Sequence, residues 1–378
     1  MVAMSIGIVG AGIGGLAAAI AFRKQGLNVT LFEQTRQFGR AGADINLTPN
    51  AVRALDGLGI GPALRRQGAR PTYRISRTWD TGEETSRLPM SQAAEAAYGA
   101  PQLTLHRADL LQALQDEVPP AAIAFGHRVA SVEASAAGAD VVLVDGGRYG
   151  FDLVVGADGI HSAARTALFG AEQPRFTGIV AYRALVPGHR VITPEAQAFT
   201  KWWGPTPDSQ IVSFPIGPAG DVFIFATIAQ ADWREESWTL PGSVVELRAA
   251  YAGYHPDARA LLDACDGVLK TALYERDPLP HWSAGAVTLL GDSCHPMMPF
   301  MAQGAGSAIE DAVVLARCIG SGTHSDLAAS LARYEAARRP RTSQLQLGSR
   351  SNAWLRDGGN ADWVYGYDSW TTRLDEAA

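Results

Sequence analysis

Two textures alternate along the chain: short unbroken apolar runs closed by glycine, and stretches in which apolar positions recur every three or four residues. SIGIV at 5–9 is a run of the first kind and predicts a buried parallel strand. LAAAIAFRKQG at 16–26 is the second kind, a helix with Gly26 where a C-terminal cap belongs, and NVTLFE at 28–33 is the next strand. Strand, glycine turn, helix and strand within about 30 residues make a βαβ unit.

The pattern continues with helix over 49–68, Pro49 near its start, and a polar, strand-like stretch over 72–90. A helix with a strong apolar face follows at 105–118, then short strands at 122–134 and 139–145, with a hairpin-like turn at Gly146-Gly147. FDLVVGADG at 151–159 is a buried strand ending in a glycine turn. From 174 to 230 the texture changes: IVAYRALV, AFTKWW, QIVSFPI and DVFIFATI, separated by Gly and Pro, predict an antiparallel sheet. Helix over 242–265, a buried strand at 286–290, a long helix over about 324–350 and the aromatic run WVYGYDSW complete the pass. The chain is α/β, its first domain assembled from discontinuous pieces around a β-rich insertion.

Composition narrows the function. With 378 residues and 47% hydrophobic content, the chain supports a large core and about two domains. The net charge of −6 and the lack of a basic tract argue against nucleic acid as a partner. Cys265, Cys294 and Cys318 form no C-x-x-C pair, so neither a disulfide framework nor a metal site is expected, and a reduced, cytoplasmic setting is. The apolar first 22 residues lack a basic leader and are broken by glycines, and no other run approaches a membrane span, so no membrane association is expected.

Chemistry concentrates in three motifs. Gly10, Gly12 and Gly15, with Gly14 between, make G-x-G-x-x-G between strand and helix. The first glycine permits the turn, the second lets backbone approach a pyrophosphate, and the third lets helix pack on strand. Glu33, about 20 residues on, is placed to accept ribose hydroxyls. The plain alternative is a glycine-tolerant packing site beside an exposed Glu. The fingerprint alone does not choose between a nicotinamide nucleotide and FAD. GADGIHSAAR at 156–165 then sets Asp158 after a buried strand. LLGDSCHPMMPFMAQGAGSAIEDAVVLA at 289–316 ends a strand at Gly291-Asp292 and opens a bare helix at Gly304. That arrangement suits a ligand with hydroxyls and a partly negative edge, or else Asp292 simply caps a helix.

In this order the three motifs resemble the class A flavoprotein aromatic monooxygenases, of the p-hydroxybenzoate hydroxylase fold. The resemblance implies a Rossmann-like (GR2-type) FAD-binding domain over 1–72, 100–173 and 268–320. It further implies an inserted antiparallel β-sheet substrate domain over 73–99 and 174–267, and a C-terminal helical segment over 321–378. It implies that Asp292 holds ribityl hydroxyls and that the backbone of Gly304 and Ala305 faces the flavin's pyrimidine edge. Arg40 and Arg107 match FAD-contacting arginines, and Asp158 belongs to a motif tied to FAD and NAD(P)H. His295, inside the second motif, is a candidate for the flavin's surroundings. The absence of a second G-x-G-x-x-G fits a reduced nicotinamide that docks transiently.

The branch of the family most resembled is that of the 6-hydroxynicotinate hydroxylases, with the salicylate hydroxylases next, through VAYRAL, KWW, GYHP, DPLPHWSAG and DWVYGYD. Substrate positions depart from it: Asn46 and Phe300 replace histidines, Ser213 and Phe214 stand where a Tyr is expected, and Phe199-Thr200 where a Cys is. The expected lining is Asn46, Phe199, Ser213, Phe214, Met298, Pro299 and Phe300, with Asn46, Pro299 and His295 nearest the chemistry. Each apolar member has an alternative as plain core, and Asn46 has one as a cap for the helix after Pro49. Arg183, Lys201 and Arg87 are the available cations, but the lining reads as largely apolar.

The activity implied is NAD(P)H- and O₂-dependent hydroxylation of a phenol or hydroxypyridine through a flavin hydroperoxide, with oxidative decarboxylation left open. The alternatives are a flavin oxidase or dehydrogenase, and a flavin-binding protein without turnover. A small aromatic substrate is the expected partner, and the protein a monomer or homodimer.

Overall fold

In the computed structural model, which describes residues 4–39, 44–135, 138–191, 193, 195–237, 239–320 and 327–374, the first apolar run lies at the centre of a six-stranded sheet. Ser5–Val9 pairs in parallel with Asn28–Glu33 on one side and Leu153–Gly156 on the other. Ile123–Phe125 and Val287–Leu289 extend the sheet in parallel, and Ser283–Ala284 closes one edge antiparallel. Every residue of Leu153–Gly156 is buried, as expected of a strand covered on both faces. The helix Ile13–Lys24 carries Arg23 and Lys24 in its last turn and ends at Gly26 with φ 79°. It packs against the 16-residue helix Gly304–Ile319.

The β-rich insertion is an eight-stranded sheet. Its order is Pro241–Gly242, Val268–Glu275, Arg175–Val186, Asp221–Ala229, Gln210–Ile216, Phe199–Trp203, Tyr73–Thr78 and Glu84–Pro89. All pairings are antiparallel except Phe199–Trp203 with Tyr73–Thr78. One expected boundary moves. Val268–Glu275 was grouped with the FAD-binding domain, yet it pairs along Arg175–Val186 and belongs to the large sheet. Two expected helices each divide. Gly59, at φ 102°, separates Pro49–Leu58 from Gly61–Gln67, and a turn before Pro256 separates Val244–Ala250 from Pro256–Asp263.

One face of the large sheet is closed by those last two helices, around Tyr182, Trp202, Ile211 and Tyr251. The opposite face looks toward the six-stranded sheet, and the cavity described below lies between. The 25-residue helix Leu327–Ser351 packs along Gly304–Ile319, and the chain then crosses the large sheet, where Ser76 Oγ donates to the Leu355 carbonyl at 2.9 Å. Among the described residues no helix is long and apolar enough to cross a membrane.

Candidate active site

The glycine turn shows why those residues are small. A Cβ on Gly15 would overlap the Gly10 carbonyl oxygen, so only glycine lets the helix press onto the strand end. A Cβ on Gly12 would meet nothing within 4 Å, because Gly12 faces the cavity. The helix behind it has no side-chain cap, so its leading N–H groups are left for a ligand, an arrangement suited to phosphate. Glu33 lies beside the turn, accepting from the Ala11 N–H at 3.1 Å and the Thr35 N–H at 2.8 Å.

The second motif faces the same space. The Gly291 N–H donates to Asp311 Oδ2 at 3.0 Å, which leaves Asp292 at the cavity wall. The surface Asp292 exposes is that wall. Protein surrounds it closely enough for burial to raise its pKa, against the lowering effects of His295 and Arg107. Gly304–Ile319 also starts without a side-chain cap, and Gly304 and Ala305 line the cavity. The Gln303 side chain is used elsewhere, donating to Thr48 Oγ1 at 2.9 Å and accepting from Asn50 Nδ2 at 3.0 Å. Those bonds fasten the helix start to the Pro49–Leu58 helix.

The cavity is about 390 Å³, within the range of small-molecule sites. Gly12, Gly14, Arg107, Asp292, Gly304 and Ala305 form one side. The large sheet forms the other, and strand alternation decides which side chains it presents. Phe199, Lys201, Val212 and Phe214 are on the wall, with Phe199 and Phe214 stacked at 5.1 Å and 6°. Met298, Pro299 and Phe300 close the space between the two sides.

Asn46 sits on a short strand, Ile45–Leu47, two residues before the helix cap Thr48, so it does not cap that helix. Its Oδ1 accepts from Gln102 Nε2 at 2.8 Å, and its buried Nδ2, at the cavity, has no hydrogen-bond partner among the described residues.

The sheet also carries charge that an apolar reading of the lining missed. Arg74, Arg183 and Lys201 are all buried and all line the cavity. Arg183 is held below the ordinary arginine range by burial, which Asp44 opposes. Burial raises Asp44, also on the wall, to about 6, with Arg183 pulling it down. Arg87 instead pairs with Glu84 and Glu195 at the sheet edge.

Two expected site residues lie elsewhere. Ser213 is adjacent to Phe214 on one strand, so it points to the opposite face, toward a second, much smaller cavity it lines with Thr200 and Trp202. His295 is absent from the cavity wall. It is fully buried against Trp282, with Nε2 2.5 Å from Asp311 Oδ2. Cys294, His295 and Asp311 bring possible ligand atoms within 4.8 Å of one another, but the Asp311 carboxylate is already engaged by Gly291 N–H, His295 and Arg338. Asp158 caps the helix Ala163–Phe169, accepting from Ser162 Oγ and the Ala163 N–H, while Ala157 and Gly159 beside it reach the cavity. Arg40 lies outside the described residues.

Two uncapped helix starts, a glycine turn and a wall aspartate around one cavity with an aromatic wall define a dinucleotide-dependent enzyme site. The chain belongs to the FAD binding domain family, which matches residues 3–348. It is 40% identical to 6-hydroxynicotinate 3-monooxygenase of Bordetella bronchiseptica, over 98% of this chain and 97% of that protein. It is 35% identical to salicylate hydroxylase of Pseudomonas putida, over 91% and 84%. Among solved structures it is similar to a salicylate hydroxylase substrate complex, with TM-score 0.84 and 27% identity over 97% of this chain and 96% of that one. It is also similar to Klebsiella pneumoniae HpxO complexed with FAD and uric acid, with TM-score 0.82 and 28% identity over 96% and 90%. The protein is an FAD-dependent aromatic monooxygenase.

Proposed function

We propose that the protein hydroxylates an electron-rich aromatic ring bearing a hydroxyl and an anionic substituent, using NADH or NADPH and O₂. FAD, when bound, would supply the redox chemistry that links oxidation of the nicotinamide to transfer of one oxygen atom of O₂ to the ring, the other leaving as water. The residues present fit that cofactor. Gly12 leaves backbone open to the cavity, Asp292 offers a carboxylate to hydroxyls, and the Gly304 helix start offers uncapped N–H groups. Glu33 is the expected ribose contact and Arg107 the expected FAD contact.

The chain's own part is to bind and orient the ring. Phe199 and Phe214, stacked on one another, give the wall an apolar aromatic patch against which a ring packs. The unpartnered Asn46 Nδ2 offers a hydrogen bond to a ring oxygen or to the cofactor. Met298, Pro299 and Phe300 exclude water from the space between ring and cofactor. The relatives' names, 6-hydroxynicotinate 3-monooxygenase and salicylate hydroxylase, support a hydroxylated aromatic acid.

The observation that carries this reading is that both FAD motifs and the aromatic wall line one cavity. The test is to load the purified protein with FAD and follow NAD(P)H oxidation and O₂ uptake with hydroxylated benzoates and pyridine carboxylates. The expected result is ring-stimulated oxidation and a product one oxygen heavier, or with a carboxyl replaced by hydroxyl. Failure to bind FAD, or oxidation that no aromatic stimulates, overturns the reading.

A further inference from the structure

Lys201 is 2% exposed and Arg74 4%, yet neither has a carboxylate within ion-pair distance among the described residues. Buried cations are normally paired, because an unpaired buried charge is expensive. Lys201 Nζ donates to a neutral acceptor, Asn352 Oδ1, at 2.6 Å, and sits 3.5 Å from the centre of the Trp203 ring. The Arg74 guanidinium lies between two aromatic faces, 4.7 Å from the centre of Phe199 and 5.1 Å from that of Trp354. Its Nη1 is buried without a hydrogen-bond partner. Both side chains line the cavity.

Sheet register explains the proximity. Arg74 is opposite Phe199, and Ser76 opposite Lys201, on the parallel pair of strands. The two cations therefore share a face at neighbouring positions, beside the stacked Phe199 and Phe214. The C-terminal crossing completes the arrangement. Asn352, itself at φ 45°, also donates through Nδ2 to the Pro207 carbonyl at 2.5 Å, so its oxygen is fixed toward Lys201. The strain of a left-handed residue is retained where it orients a side chain. Burial, with Arg74 and Arg356 nearby, disfavours the Lys201 charge in the absence of an anion.

We propose that Arg74 and Lys201 form a subsite for an anionic substituent, foremost a carboxylate, on the aromatic substrate, with Asn352 as the positioning residue for Lys201. The subsite rests on the aromatic-hydroxylase reading for its ring, but its charge preference is separable. Lys201 and Arg74 supply charge-assisted hydrogen bonds that a neutral isostere does not receive in full, and the stacked phenylalanines take either ring equally.

The test uses FAD-loaded protein and matched pairs: salicylate with salicylamide, 6-hydroxynicotinate with 6-hydroxynicotinamide, and 4-hydroxybenzoate with 4-hydroxybenzamide. Binding is measured by calorimetry and by perturbation of the flavin spectrum. At least one acid is expected to bind roughly 10- to 100-fold more tightly than its amide. Lys201→Met is expected to remove that preference by weakening the acid alone, with FAD content unchanged. Asn352→Asp, which a left-handed backbone tolerates, sets a carboxylate against Lys201 and is expected to do the same without removing any side chain from the wall. Equal binding of acid and amide by the wild type, binding of amides only, no binding of any acid at millimolar concentration, or a preference that survives both variants would each overturn the subsite. If acids bind selectively but no ring stimulates NAD(P)H oxidation, the hydroxylase reading fails and the anion subsite stands.

Discussion

Two groups of buried charge flank the C-terminal helix, one against its middle and one just past its end, and they are built on different principles. Midway along it, Glu310 and Asp311 of the Gly304 helix meet Arg338 and Arg341. Arg338 is 2.7 Å from Glu310 and 2.8 Å from Asp311, and Arg341 is 3.0 Å from Glu310. His295 and the Gly291 N–H also engage Asp311, and Asn50 Nδ2 donates to Glu310 at 2.6 Å. Anions and cations are balanced there, and the cluster lines neither of the two cavities described above. Beyond its end, Arg74 and Lys201 face a cavity with Asn352 and aromatic rings in contact and no carboxylate within ion-pair distance among the described residues. The first cluster is closed and joins the C-terminal helix to the helix whose start faces the cavity. The second is open, and its missing member is a ligand. Burial alone does not separate a structural charge from a functional one; the accounting of partners does.

Arg338→Met should separate the two most sharply, since it strands Glu310 and Asp311 in the core. A loss of about 3–5 kcal/mol in denaturant unfolding is expected. A loss below about 1 kcal/mol would mean that the closed cluster is not held by its charges. Acid titration gives the next effect. Asp311 is depressed to about 2 despite burial, through His295 and Arg338. Its folded pKa lies below its ordinary value of 3.8, so its contribution is full above that pH and disappears as pH falls toward 2. Asp311→Asn should be less stable at neutral pH and should lose less on acidification than the wild type, as read from melting temperature against pH.

Lys201→Met should move stability the other way. Replacing an unmatched buried ammonium by an apolar chain of similar length is expected to raise ligand-free stability by about 1–2 kcal/mol while substrate binding suffers. A drop in stability would place Lys201 with the closed cluster. The smallest effect belongs to Ser213→Ala, expected to leave turnover within about twofold because the side chain faces away from the cavity; Phe214→Ala, its neighbour, should lower kcat/KM about tenfold or more. Steady-state kinetics with the same substrate distinguishes them.

The βαβ unit, both helix starts and Asp292 were legible because each is local: a glycine spacing, a run of apolar residues, an Asp at a strand end. The charged wall was legible only in part: Arg183 and Lys201 stand out as available cations, but their meeting with Arg74 is made by strand pairing between distant segments. Arg74 lies in a stretch that reads as polar strand, and nothing near it in sequence announces Phe199 or Trp354 as its neighbours. Alternation could have told that Ser213 and Phe214 do not share a wall, and the same rule groups Phe199, Lys201 and Trp203 on one face. His295 was drawn in by its place beside Asp292, but its ring turns away to Asp311, a partner sixteen positions along the chain. Val268–Glu275 was misgrouped for a related reason: a buried strand shows its burial in sequence but not which sheet it joins.

Asn352 has an evolutionary consequence. Its left-handed backbone narrows the residues that sit there without strain to glycine, asparagine and aspartate. Glycine would release Lys201, and aspartate would neutralise it. A lineage could therefore exchange a taste for acids against a taste for neutral rings by one substitution in the tail, with every residue of the wall itself left untouched.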